Sequence, residues 1–307
     1  MAIKRSIEDL PSAAPREGRP PARNNFVAEA LAQKWFDEYI ARGEQHLGLA
    51  IPDAGPWRAS WAGKRCDRDL FYALRGDEES NPNTIADYWR FGLGKKVHEM
   101  LQEVVEGLFP DAESELDIDL RPVGIPGSAH SDLVFTYKGK RTLVEIKTAG
   151  GFRFKMATTG MRGPAEGPSH GHVVQAAVAA AALGCEQVVI CYLAMENLSP
   201  QMADFSDTEA GRFAAEWHFT TEALMPFVIE ERDRVNAMLA HIEADTLPPR
   251  QLHDPTEVPV GAVVVDPLAP RNRGRWQLRD GEDIADHGET WICGYCNQRD
   301  RCARDGA

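Results

Sequence analysis

Two adjoining β-prone runs constrain this chain more than anything else in it: Ser131–Tyr137 (SDLVFTY) and Thr142–Thr148 (TLVEIKT), joined through Lys138-Gly139-Lys140. Both are rich in β-branched and aromatic residues, and the basic, glycine-centred link between them suits a hairpin turn. Side chains two apart on a strand share a face, so Glu145 and Lys147 lie side by side while Val144 and Ile146 go to the opposite, apolar face. Asp132 can join the charged face from across the hairpin. Two carboxylates and an ammonium on one patch are costly to bury without a role, and a divalent cation with a phosphate is the role that fits them.

The bulk of the chain sets the frame. At 307 residues with 43% apolar content it can bury a substantial core, and no run approaches the length of a membrane span. The basic N-terminus has no apolar stretch behind it, so it does not read as a secretory signal, and a cytoplasmic location is expected. A net charge of −13 argues against a broad surface for coating nucleic acid, but not against a local basic channel. Between Lys138 and Gln175 the charges are Lys138, Lys140, Arg141, Lys147, Arg153, Lys155 and Arg162 against Glu145 and Glu166 alone. The positive surplus falls on the hairpin and on the segment from Thr148 to Gln175.

In chain order, residues 1–25 lack periodicity and read as a disordered arm. Phe26–Ala41 reads as a helix, with Phe26, Ala30, Leu31, Trp35 and Tyr39 on one stripe. Ser60–Leu74 reads as a helix carrying Cys66 among basic residues; alone, that thiol is a small buried hydrophobe. Ile85–Phe109 is a long helix, loosened by Gly92 and Gly94, in which His98 shares a stripe with Leu101 and Val105. Glu115–Leu120 is expected as a strand and Pro122–Gly127 as the turn into the hairpin. A loop runs from Thr148 to Pro168, followed by an alanine-rich helix at His170–Leu183 that carries Gln175 and ends at Gly184. Gln187–Leu193, almost wholly apolar, is expected in the middle of a sheet with both faces covered. Ala214–Phe219 is a further strand and Thr221–Ala244 a helix, with Thr221 cap-like and Pro226 in its first turns. Residues 26–245 are thus expected as one region, 246–290 as an irregular insertion, and 291–307 as a separate C-terminal segment.

That segment holds the second chemical pattern, Cys293-x-x-Cys296 followed by Cys302. Three cysteines so closely spaced call for a metal or a bridge, and Cys66 makes a fourth. Four thiolates suit a structural zinc or a [4Fe–4S] cluster, and the spacing alone does not separate the two. Cys185 and Cys191, on the central apolar strand and its entry, read as inert core thiols.

A Glu-x-Lys pair on its own is common. Here it sits on an apolar strand with an aspartate opening the paired strand, a helical histidine upstream (Gly94 to His98) and a helical glutamine downstream (Gln175). Together these resemble the RecB-like branch of the PD-(D/E)xK nuclease superfamily. Cys66-Asp67-Arg68-Asp69-Leu70-Phe71-Tyr72, ahead of the nuclease motifs and with three cysteines after them, is similar to the cluster segment of the CRISPR-associated Cas-four-type and AddB-type iron–sulfur exonucleases. The resemblance covers roughly residues 58–245 and 291–302. It implies an α/β fold with a restriction-endonuclease-like core, a central mixed sheet flanked by helices. It also implies an N-terminal helical region and a C-terminal cysteine cluster packing back on Cys66.

In function, the resemblance implies a metal-dependent DNA exonuclease that hydrolyses phosphodiester bonds at DNA ends or in single strands, for recombination, replication or repair. His98, Asp132, Glu145 and the Ile146 carbonyl would hold Mg²⁺ or Mn²⁺, Lys147 would orient water or offset phosphate charge, and Gln175 would lie near the DNA. Cys66, Cys293, Cys296 and Cys302 would hold [4Fe–4S], with zinc as the alternative. DNA is the expected partner, alongside a recombination, helicase or annealing protein. One departure stands out: Ala179 occupies the position at which the family carries a tyrosine after the glutamine. Two other readings remain, a structure-specific endonuclease or subunit of a larger complex, and a DNA-end-binding scaffold with a vestigial site.

Overall fold

The computed structural model describes residues 33, 34, 37, 55–63, 66–83, 85–160, 165–195, 214–249, 262–264, 276–278 and 296–305. The 1–25 arm, most of the Phe26–Ala41 helix and Cys293 lie outside the described residues. Two compact units divide the chain, Met1–Gly63 with Thr84–Val235 and Lys64–Asn83 with Asn236–Ala307.

The first unit is built on a six-stranded mixed sheet. Its strands are β1 (Trp57–Arg58), β2 (Glu113–Asp119), β3 (Gly127–Tyr137), β4 (Lys140–Ala149), β5 (Gln187–Ala194) and β6 (Ala214–Thr220). They run in the order β1-β3-β4-β5-β6, with β2 also on β3. The β3–β4 hairpin closes on Lys138 (φ 50°) and Gly139 (φ 78°), two successive left-handed residues that give a two-residue turn matching the twist of its strands. β4 pairs with β5 in parallel, and β5 with β6 antiparallel. The apolar β5 is therefore central, as its sequence demands.

Gly127, where β1 meets β3, is a steric requirement, because a Cβ there would stand 2.2 Å from the Trp57 carbonyl oxygen.

Helices cover the sheet. On α2 (Ile85–Leu108), Leu101 and Val105 pack, together with Phe109 just past its end, against Leu133, Phe135 and Ile146, and Phe109 stacks on Phe135 at 4.3 Å. Gly94 does not interrupt this helix; a Cβ there would lie 3.3 Å from the Thr148 hydroxyl, so the glycine permits a close approach to β4. On α4 (His170–Leu183) Val173, Val174, Ala176, Ala177, Val178, Ala179 and Ala180 are all buried. The helix lies against β4, β5 and the 3₁₀ turn Ala59–Gly63, and its small residues allow that close packing. Ala179 is fully buried, so a tyrosine ring there would overpack the core.

Several local expectations are corrected. The loop after Thr148 contains a helix, α3 (Gly151–Thr158), because Phe154 and Ala157 find a buried face that the local sequence does not announce. The Ser60–Leu74 helix is a 3₁₀ turn at Ala59–Gly63 and then α1 (Asp67–Arg75). At the start of α5 (Thr221–Glu243) the cap is Thr220, whose Oγ1 accepts the Ala223 N–H, while Thr221 donates to the Cys185 carbonyl. The 246–290 stretch is not wholly irregular, since β7 (Ala262–Val264) and β8 (Trp276–Leu278) form an antiparallel pair.

In the second unit α1 and α6 (Arg299–Asp305) are tied by a Tyr72 hydroxyl donating to Asp305 Oδ2 at 2.7 Å and by Arg301 over the Tyr72 ring at 5.2 Å. The Asn81 amide donates to the Asn297 carbonyl at 2.8 Å, and the Asp300 amide to Asn81 Oδ1 at 3.0 Å. Among the described residues no helix is long and apolar enough to cross a membrane.

Candidate active site

The site forms where β3 and β4 part. Ladder pairing runs from Tyr137↔Lys140 to Leu133↔Val144 and stops one residue short of Asp132 and Glu145. Beyond that point the Asp132 side chain replaces the missing backbone acceptor: its Oδ2 receives the Ile146 amide at 2.6 Å. Its Oδ1 lies 3.2 Å from His98 Nδ1, delivered by α2 one turn ahead of Leu101. Asp132 is thereby held from two directions.

On β4, Glu145 is buried, 1% exposed, and its Oε1 is 2.5 Å from Lys147 Nζ. Its Oε2 is buried and meets no hydrogen-bond partner among the described residues. Burial pushes this carboxyl up, to about 7, with Lys147 pulling it back and the Asp132 charge adding to the rise. Burial alone would lower the Lys147 ammonium, but the Glu145 and Asp132 carboxylates outweigh it and hold the group charged. Lys147 Nζ also donates to Gln175 Oε1 at 3.1 Å. The structure thus links His98, Asp132, the Ile146 amide, Glu145, Lys147 and Gln175 into one connected set drawn from two strands and two helices.

Three further groups support the set. Gln102, buried on α2, donates from Nε2 to both the Asp132 carbonyl (3.1 Å) and Glu115 Oε1 (2.8 Å). Glu115 faces Asp132 in the β2–β3 register but makes no ladder pair with it, and its φ of 52° is a left-handed conformation unusual for a glutamate. The β2 edge is therefore distorted opposite the residue that the β4 edge leaves unpaired. The third is the pair of half-buried His172 and buried Tyr192: His172 Nδ1 lies 2.7 Å from the Tyr192 hydroxyl, and β5 places Tyr192 beside Lys147. Sequence signals for these existed. Gln102 is a polar residue one turn from His98 inside an apolar stripe, and His172 precedes Gln175 by one turn.

Among the described residues, no three His, Cys, Asp or Glu side chains stand together as a ready metal cage. Asp132 and one Glu145 oxygen are engaged by His98, the Ile146 amide and Lys147. The chemistry of the donors nonetheless fits a hard cation, since a buried carboxylate oxygen without a partner is stable only opposite a positive charge or a proton.

The remaining candidates lie in the second unit. Cys66 stands at the N-terminal boundary of α1 and is half-buried; burial raises its thiol, and the nearby Cys302 adds to the rise. Arg68 Nη1 stands 3.9 Å from Cys302 Sγ, and Cys296 Sγ accepts the Gln298 amide at 3.4 Å. These described cysteines are free thiols.

Comparison with known proteins adds little. No protein-family profile and no curated protein matches the chain. Among solved structures it is similar to SSO0001 at 15% identity and a TM-score of 0.43, over 90% of this chain and 96% of that one. It is also similar to an alkaline exonuclease, LHK-Exo, from Laribacter hongkongensis at 17% identity and a TM-score of 0.40, over 63% of this chain and 90% of that one. The same exonuclease in complex with dAMP aligns at 19% identity and a TM-score of 0.41 over the same shares. Likenesses this distant decide nothing about activity. The class rests on the architecture itself: a mixed α/β fold with a central mixed sheet flanked by helices, consistent with a restriction-endonuclease-like core.

Proposed function

We propose that this chain is a metal-dependent deoxyribonuclease, an exonuclease of RecB-like type that hydrolyses phosphodiester bonds at DNA ends or in single-stranded DNA. The observation that carries the reading is Glu145, a buried carboxylate with one oxygen paired to Lys147 and the other without a partner among the described residues. It joins a place for a cation to a place for an anion. Asp132, Glu145, His98 and the Ile146 carbonyl would hold Mg²⁺ or Mn²⁺, which when bound supplies Lewis acidity toward a phosphoryl oxygen and a more acidic water. Lys147, kept protonated by Glu145 and Asp132, offsets negative charge gathering on the phosphate. Gln175 holds that ammonium in place, and Gln102 and His98 hold Asp132.

In the second unit, Cys66, Cys293, Cys296 and Cys302 would ligate a [4Fe–4S] cluster, with zinc the alternative. Cys66 and Cys302 lie near one another, and the Arg68 guanidinium stands 3.9 Å from the Cys302 sulfur, a grouping that supports a shared site for these cysteines. Recombination, replication or repair is the expected setting, with a helicase, annealing or recombination protein as companion.

The test is incubation of purified protein with Mn²⁺ and DNA labelled at the 5′ or 3′ end, beside a single-stranded circle. Exonuclease action consumes the linear strand and spares the circle; cleavage of the circle makes the enzyme an endonuclease. Glu145→Ala and Lys147→Ala should each lower cleavage by at least about a hundredfold. Unchanged cleavage in both variants would remove the site from consideration.

A further inference from the structure

α4 carries His172 and Gln175 one turn apart, and therefore on one face. Each of these side chains can donate or accept, and in each the partner decides which. Gln175 Oε1 receives a hydrogen bond from Lys147, which has only donors, so the amide oxygen points at Lys147 and the NH₂ keeps both hydrogens. For His172 the deciding partner is Tyr192. The Tyr192 hydroxyl oxygen receives the Ser169 amide at 2.8 Å and lies 2.7 Å from His172 Nδ1. Tyr192 is fully buried, so its O–H needs an acceptor, and Nδ1 is the one beside it. The imidazole hydrogen therefore sits on Nε2, for which the described residues offer no partner. The tyrosine is itself fixed by edge contacts with His172 (5.5 Å) and Trp217 (5.1 Å). Burial, with Lys147 and Arg153 nearby, holds the His172 pKa at about 3, so the ring stays neutral.

We propose that His172 Nε2–H and the Gln175 amide form a phosphate-binding subsite for the DNA strand beside Lys147, with Tyr192 as the positioning residue that sets the His172 tautomer. The proposal rests on the nuclease reading and names how the strand is held. Two neutral donors next to an ammonium match a ligand that only accepts, and the non-bridging oxygens of a phosphodiester are such acceptors. A neutral imidazole supplies its hydrogen bond without setting a second positive charge against Lys147.

The experiment uses the full chain. Binding of a fluorescein-labelled single-stranded oligonucleotide is followed by anisotropy in EDTA, and steady-state cleavage is followed in Mn²⁺. His172→Phe keeps a ring and removes the donor; it should raise both the Kd and the KM for DNA about tenfold and leave kcat within about twofold. His172→Gln, which restores an N–H, should recover most of that loss, and Tyr192→Phe should fall between wild type and His172→Phe. The imidazole ¹⁵N signals of the wild-type protein give a readout that does not depend on any variant folding. They should show the Nε2–H tautomer at neutral pH, with the Nε2 resonance moving when the oligonucleotide is added. Wild-type affinity and KM in His172→Phe, an Nδ1–H tautomer, or an Nε2 signal indifferent to DNA would each overturn the subsite while leaving the nuclease intact. A wild-type protein that neither binds nor cuts DNA would overturn the nuclease reading and the subsite with it.

Discussion

Asp132 Oδ2 accepts the Ile146 amide at 2.6 Å, the bond that takes over from the β3–β4 ladder where the two strands part. One carboxylate is therefore both a structural acceptor and a candidate metal ligand, and the two duties separate experimentally. Asp132→Ala leaves the Ile146 N–H without its acceptor, at a cost of about 1–3 kcal/mol in urea unfolding. Asp132→Asn keeps a carbonyl oxygen for that amide and should lose less than about 1 kcal/mol. Both should lose nuclease activity by at least about a hundredfold, because only the carboxylate carries charge to a cation.

Glu145 sets the response to metal and pH. Its carboxyl rises from 4.5 to about 7 in the folded protein. For an acid raised in this way, the stabilising contribution is complete below pH 4.5 and is lost as pH climbs through 7. The metal-free protein should accordingly lose stability through this group between those values, and Mn²⁺ should raise the melting temperature more at pH 8 than at pH 5. Calorimetry with and without EDTA checks this, and Glu145→Gln should abolish the pH dependence of the Mn²⁺ effect.

His172 predicts the opposite slope. Its folded pKa is depressed from 6.5 to about 3. Its contribution is present above pH 6.5 and is lost as pH falls toward 3, since the unfolded chain takes up a proton that the folded ring refuses. Between pH 7 and pH 4 the wild type should lose on the order of 3 kcal/mol more than His172→Gln, measured by urea titration at each pH.

Gln102 works through Asp132 and Glu115, not on substrate. Gln102→Leu removes one donor from two acceptors at once and should cost about 1–2 kcal/mol, with kcat lowered about tenfold and KM little changed. A matching loss of stability with unaltered kcat would reduce Gln102 to a packing residue.

Cys302→Ala should lower thermal stability and the bound iron and acid-labile sulfide of anaerobically purified protein, with cleavage per folded molecule unchanged. Stoichiometric zinc in a colourless wild-type preparation would replace the cluster with a zinc site.

Where the physics is local, it was legible. Alternation along Thr142–Thr148 set Glu145 and Lys147 on one face, the Lys-Gly turn closed the hairpin, and the apolar run at Gln187–Leu193 announced a central strand. The alanines of His170–Leu183 implied a helix, and only the nuclease resemblance put its Gln175 near the DNA. The α3 helix was not legible, because its short apolar pattern has meaning only against the surface it covers. The β7–β8 pair was hidden in the same way, its three-residue strands being too short to show alternation.

The primary structure by itself determined the charged strand pair, its turn and the helices that flank it, since periodicity and turn chemistry act over a few residues. Only the tertiary structure decided that the Asp132 carboxylate replaces a ladder acceptor. It also decided that Glu145 keeps one buried oxygen without a partner among the described residues and that Tyr192 dictates which nitrogen of His172 carries the hydrogen. Each of these depends on groups far apart in the chain meeting within hydrogen-bond reach, and helix-on-sheet packing sets that distance. The hairpin named the chemistry. Packing around it decided how the donors and acceptors are aimed.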